Sequence, residues 1–252
     1  MAELTVHMLW VTGPLSNIEK ISVNSFVSKG YRTFLWTYGG LNNAPAGAEV
    51  RNAREVLPEN RVFRGKSGSL AQFSDLFRYA VLHSQGGLWV DADVVALVTP
   101  SALGSEPFLV TERDQTGLLK KGVKKILRRS EGRSVSNNVI YNPVPAAGNI
   151  VDLALGYANS FPKEKIVWGE LGPRLISAIE SIYPDHGFKV HAPVFANPVD
   201  WWRCPHALLR SPAEKISGAS FLHLYNETWR RAGVDKNADF PRKSLMHDLA
   251  EE

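Results

Sequence analysis

The chain has 252 residues, 44% of them hydrophobic and 21% charged, which is enough to bury a substantial core in one α/β domain and excludes collagen-like, low-complexity and disordered classes. Its one cysteine, Cys204, excludes an internal disulfide and a cysteine-based zinc knuckle, and a net charge of +4 suits an anionic ligand without identifying one. No run of roughly 18 apolar residues and no basic-then-apolar leader occurs, so the expected location is cytoplasmic, at most peripheral to a membrane.

Thr5 to Val11 reads as a buried strand ended by Thr12-Gly13-Pro14. Ser16, with Glu19 three residues on, is placed to cap a helix running to about Lys29, and Gly30 ends it. Tyr31 to Tyr38 alternates and is rich in aromatic and β-branched residues, a second strand before Gly39-Gly40. This β-α-β opening predicts a largely parallel sheet. Ser69 is a plausible cap for a helix carrying Leu70, Phe73, Leu76, Phe77, Ala80 and Val81 at helical spacing, stopped by Gly86-Gly87. Leu88-Trp89-Val90 is then a short apolar strand that delivers Asp91 and Asp93 at its carboxyl end, where ligands bind in open α/β sheets.

Further on, Lys120, Lys121, Lys124, Lys125, Arg128 and Arg129 alternate with apolar residues as on a basic amphipathic helix. Such a helix is a solvated face or a contact with an anionic membrane or polyanionic acceptor. Nucleic acid is not an expected partner, because no aromatic stripe or binding motif accompanies these charges. Strands are predicted near Phe108 to Thr111, Asn138 to Tyr141, Lys189 to Ala192 and Ala219 to Leu224, with helices near Val151 to Ser160 and Gly172 to Ser181.

In an extended segment the side chains of Asp91 and Asp93 would project to one side, with Ala92 pointing away. Two carboxylates that close call for a cation, and hard ions such as Mn²⁺ or Mg²⁺ complete their shell with substrate phosphates. Asp75 and Arg78, three apart on one helical face, are either a surface ion pair or a buried polar pair awaiting a ligand.

The run from Phe73 to Leu82, followed by Gly86-Gly87-Leu88-Trp89-Val90-Asp91-Ala92-Asp93-Val94, resembles the sugar-binding region of retaining glycosyltransferases with an Asp-X-Asp motif: the Och1-like mannosyltransferases, α-1,4-galactosyltransferases and clostridial glucosylating toxins. The resemblance implies a GT-A-type, Rossmann-like fold with a central, mostly parallel sheet flanked by helices. It implies one domain over 1–252, with a nucleotide-sugar half to about 100, an acceptor half over about 101–235 and a tail or helix over 236–252. It also implies transfer of a hexose from a nucleotide-sugar donor, UDP-linked by preference, to a glycan or lipid-linked saccharide acceptor, with Mn²⁺ or Mg²⁺ as cofactor.

Carried onto this chain, Asp91 and Asp93 would hold the cation, and Asp75 and Arg78 the donor sugar, with Val11 and Trp89 lining the donor site. His7 to Gly13 looks like the family's first strand, whose aromatic, here Trp10, stacks on the base; a plain core tryptophan is the alternative. Phe221 to Trp229 resembles the closing His-x-x-Asn-x-x-Trp segment, which makes His223 a candidate third metal ligand and Trp229 a diphosphate contact. Echoes around Ser136-Asn137-Asn138 and Trp168-Gly169-Glu170 put Asn138 and Glu170 beside Asp93 as candidate catalytic residues. A nucleotide-sugar hydrolase and a non-enzymatic carbohydrate-binding protein remain as other readings of the same residues.

Overall fold

The computed structural model describes residues 3–66, 68–113, 133–163, 166–210 and 216–252. β1 (Thr5–Leu9) and β2 (Arg32–Thr37) run parallel, with Thr5 opposite Arg32 and Leu9 opposite Trp36, and are joined by α1 (Asn17–Ser28). A short β3 (Glu49–Asn52) extends this side. After α2 (Ala71–Gln85), β4 (Gly87–Val90) pairs in parallel with the other side of β1. One antiparallel strand follows: the ten-residue β7 (Arg133–Asn142) lies between β4 and β6 (Phe108–Arg113) and pairs antiparallel with both. β8 (Lys189–His191) closes the sheet in parallel with β6, giving the order β3-β2-β1-β4-β7-β6-β8. The expected mostly parallel α/β sheet flanked by helices is therefore what the chain adopts. A second, two-stranded sheet pairs β5 (Val94–Ala96) with β9 (Phe221–His223).

Because strand side chains alternate in direction, both faces of the sheet must be covered. Val6, Met8, Leu35, Leu88, Val90 and Val139 face Val23 and Phe26 of α1. Leu9, Trp36, Trp89 and Ile140 face Phe73, Leu76 and Phe77 of α2 and the helices Ile150–Ser160 and Pro173–Ile182. A third cluster joins Ile18 and Ile21 to Leu222, Trp229, Leu245 and Met246, so the C-terminal helix Leu245–Glu251 packs near the start of α1.

The differences from expectation have local causes. β1 stops at Leu9 and α2 starts at Ala71, with Ser69 Oγ accepting the Ala71 amide at 3.1 Å outside the helix proper. β3 and β5 escape sequence patterning because each is at most four residues long, and Glu49-Val50-Arg51-Asn52 is a polar edge strand. The basic run at 118–129 lies outside the described residues.

Gly86 and Gly87 do more than end α2. Gly87 has φ +90° and lies within β4, where a Cβ would come within 2.8 Å of the Thr5 carbonyl oxygen. Both the left-handed backbone and the close approach of β1 require glycine there. Gly87→Ala should destabilise the fold by about 1–3 kcal/mol in denaturant unfolding.

Beside this contact the His7 ring is buried, with Trp36 Nε1–H donating to Nδ1 at 3.1 Å and Nε2 3.1 Å from the Gly86 carbonyl. Since Nδ1 accepts, the proton sits on Nε2 and the ring is neutral. Burial pushes its pKa from 6.5 down to about 4. The unfolded chain therefore takes this proton first as pH falls. The contribution of His7 to stability is whole above pH 6.5 and is lost towards pH 4, on the order of 3 kcal/mol. Asp75, whose pKa is pushed up to about 6 by burial, works in the opposite sense over nearly the same range, so the ring itself is the better reporter. In a ¹⁵N NMR titration His7 should remain the neutral Nε2–H tautomer to near pH 4; titration near 6.5 would contradict the buried hydrogen bonds.

Candidate active site

Asp91, Ala92 and Asp93 form the turn between β4 and β5, closed by the Val94 amide on the Asp91 carbonyl at 2.9 Å. The carboxylates converge through this turn, a correction to the extended geometry expected. Both residues are pinned by their backbones: the Asp91 amide bonds the Asn138 carbonyl at 2.9 Å, and the Asp93 carbonyl accepts the Leu224 amide at 2.8 Å. The second contact adjoins the β5–β9 pairing, whose register sets His223 opposite Val94. His223 Nε2 thus lies 3.4 Å from Asp93 Oδ1, and one ligand atom each from Asp91, Asp93 and His223 lie within 4.8 Å of one another.

Arg78 on α2 joins this group to a second carboxylate. Its guanidinium donates to Asp75 Oδ1 at 2.9 Å and to Asp91 Oδ1 at 2.6 Å, and lies 5.1 Å above the Trp89 ring. Trp89 Nε1–H also donates to Asp91 Oδ1 at 2.9 Å, and Asn137 Nδ2 to Asp75 Oδ1 at 2.8 Å. With 3% and 10% of their side chains exposed, Arg78 and Asp75 are a buried pair and not a surface one. Gly172 packs against them so closely that a Cβ would lie 2.9 Å from both Asn137 Nδ2 and Asp75 Oδ2.

Burial raises the Asp75 pKa to about 6 against the pull of Arg78. It also raises that of Asp91, again opposed by Arg78 and assisted by the negative Asp93. For Asp93 the cost of burial is outweighed by His223 and the Asn226 amide, which hold its carboxyl low, and Asp93 in turn holds the His223 imidazole up against burial. Three carboxylates thus share one guanidinium and one imidazole. Two carboxylate oxygens and an imidazole nitrogen this close form a donor set that could hold a metal ion. Among the described residues, His223 Nδ1 and Asn226 Oδ1 are buried without a hydrogen-bond partner.

The group opens onto a cleft of about 790 Å³, also lined by Trp10, Val11, Asn138, Trp168 and Trp201. Trp10 is pinned through Nε1–H to the Gly13 carbonyl at 3.0 Å and presents part of its ring to the cleft. Asn138 reaches the cleft, but its amide is engaged: Nδ2 donates to Asn197 Oδ1 at 3.0 Å and Oδ1 accepts from Ser136 at 2.7 Å.

Two expectations are corrected. Trp229 is wholly buried in the C-terminal core with its indole N–H on the Leu224 carbonyl at 2.8 Å, so it does not line the cleft. Glu170 does not line it either; its carboxylate closes a turn on the Val167 amide at 3.0 Å. Asn137 and Asn226, which no role was expected for, do line it. Both stand inside the segments that carry the resemblance, Asn226 as the asparagine of the His-x-x-Asn-x-x-Trp stretch.

No family profile and no curated protein matches the chain by sequence. In backbone arrangement it is similar to several glycosyltransferases of known structure. The PaToxG glycosyltransferase is 19% identical with a TM-score of 0.46, over 72% of this chain and 70% of that one. The galactosyltransferase LgtC, solved with donor and acceptor sugar analogues, is 9% identical with a TM-score of 0.43, over 87% and 86%. GlyE of Streptococcus pneumoniae TIGR4 is 14% identical with a TM-score of 0.48, over 99% of this chain and 60% of that one.

Proposed function

We propose that the chain is a metal-dependent, retaining glycosyltransferase that moves a hexose from a nucleotide-diphosphate sugar, UDP-linked by preference, to a hydroxyl of a glycan or lipid-linked saccharide in bacterial surface polysaccharide synthesis. One observation carries this reading: the Asp91, Asp93 and His223 ligand atoms and the buried Arg78–Asp75 pair open onto the same cleft. A buried, hydrogen-bonded guanidinium–carboxylate pair beside a cation-ready cluster is costly for a merely structural role.

Asp91, Asp93 and His223 would hold Mn²⁺ or Mg²⁺, which when bound supplies a Lewis acid for the leaving diphosphate. Arg78 keeps Asp91 and Asp75 oriented, and the polar surface around Asp75 would take hydroxyls of the donor sugar. Trp10 and Val11 would line the base and ribose, the indole face offering a stacking platform. Asn138 holds the β7 backbone against Asp91 and so positions the turn. No side chain is assigned as base: the acceptor hydroxyl's proton goes to the departing phosphate oxygen as the new glycosidic bond forms.

The chain would act as one domain in the cytoplasm, with peripheral contact to anionic membrane through the basic run near 118–129. Among the described residues, no helix is long and apolar enough to cross a membrane. Calorimetric titration with UDP and GDP, each with Mn²⁺ and with EDTA, tests the reading. Tight binding of one nucleotide only with metal is expected, and binding of neither under any condition would overturn it.

A further inference from the structure

Glu19, at the start of α1, is fully buried. Its Oε2 accepts from the Ser16 amide at 2.7 Å and the Ser16 hydroxyl at 2.5 Å, the contacts of a helix cap. Capping leaves Oε1 unaccounted for. That oxygen accepts Asn226 Nδ2 at 2.6 Å and lies 3.3 Å from Lys236 Nζ, so it ties the first helix to a segment far along the chain.

The contact decides which way the Asn226 amide points. A carboxylate only accepts hydrogen bonds, so Nδ2 must turn to Glu19 and Oδ1 must turn away. Asn226 lines the cleft, and its backbone N–H donates to Asp93 Oδ2 at 2.7 Å. Its Oδ1 is nonetheless buried with no hydrogen-bond partner among the described residues. A buried amide oxygen without a donor costs stability unless something else takes it, and amide oxygens are ordinary ligands for hard cations.

We propose that Glu19 is a positioning residue, which by claiming Asn226 Nδ2 turns the Asn226 amide oxygen toward the cation held by Asp91, Asp93 and His223. This rests on the cation-dependent reading of the cleft. The capping box then has a second task, and the C-terminal segment at Lys236 is coupled to the site through the same carboxylate.

The test is Mn²⁺ affinity of the full chain, measured by EPR titration, with thermal melts in EDTA as the metal-free readout. In Glu19→Gln the new amide oxygen can keep the Ser16 amide, but its NH₂ faces Asn226 and turns that amide over. Mn²⁺ affinity should fall roughly 10–100-fold, the range for a lost orienting partner, while the melt in EDTA stays close to wild type. Asn226→Ala, which retains the backbone N–H on Asp93, should lose a similar factor. The double variant Glu19→Gln/Asn226→Asp should regain most of the affinity, because the new amide donates to one carboxylate oxygen and leaves the other for the cation.

Unchanged affinity in Glu19→Gln or Asn226→Ala, or a double variant no better than Glu19→Gln, overturns the proposal. Should Glu19→Gln fail to fold, Asn226→Ala carries the test. A wild-type chain that binds no Mn²⁺ overturns the underlying cation reading instead.

Discussion

Asp93→Ala should lower kcat/KM for transfer from a nucleotide sugar about a thousandfold, measured in a coupled assay with saturating Mn²⁺. On the proposed reading Asp93 is a metal ligand, and losing it forfeits part of the several kcal/mol that a Lewis acid supplies at a leaving phosphate, each ~1.4 kcal/mol being a factor of ten. The same carboxylate accepts the Asn226 amide at 2.7 Å, so the variant also leaves a buried donor unpaired, at about 1–3 kcal/mol of stability. Asp93→Asn separates the two effects. Its amide oxygen can still accept from Asn226, so circular dichroism melts should return toward wild type while activity stays low. A folded Asp93→Asn or Asp93→Ala protein with wild-type turnover would falsify the metal role.

Arg78→Met should be the most destabilising change in the site. Its guanidinium is the shared partner of Asp75 and Asp91, and removing one member of a buried charge group costs about 3–5 kcal/mol. For a chain of this size that is a fall of roughly 10 °C in Tm by calorimetry. The sign with pH follows from Asp75. Its folded pKa, about 6, lies above the unfolded value of 3.8, so the folded protein holds that proton more tightly and stability from this group is lost as pH rises between the two. Without Arg78 the folded value rises further, and the deficit of the variant should shrink as pH is lowered from 8 to 5. Arg78→Lys should recover only part of the loss, because one ammonium does not span both carboxylates as the planar guanidinium does.

Gly172→Ala tests the packing behind this group. Its Cβ would enter the contact between Asn137 and Asp75, so the expected result is a loss of about 1–3 kcal/mol with a raised KM for the donor.

The opening β-α-β unit, α2 and β4 were legible because each has a strong local signal: β-branched and aromatic runs, apolar residues at helical spacing, and glycines at the ends. Asp91 and Asp93 were legible for the same reason, as an acidic pair at the end of a short apolar strand. The strands of the second half were found with looser bounds, and the three-residue β5 left no periodicity to read.

The linear sequence was enough for the alternation of strand and helix and for the Asp91/Asp93 acidic pair with its demand for positive charge, all set by interactions within a few residues; the turn that makes the pair converge was not among them. Tertiary structure alone decided which distant groups answer that demand. Asn226 reaches Asp93 across 133 positions, brought there with His223 by the β5–β9 pairing. Folding also made Arg78 a bridge between two carboxylates and buried Trp229 in the core. Side-chain direction and burial depend on packing between elements, and no local pattern in the chain encodes that.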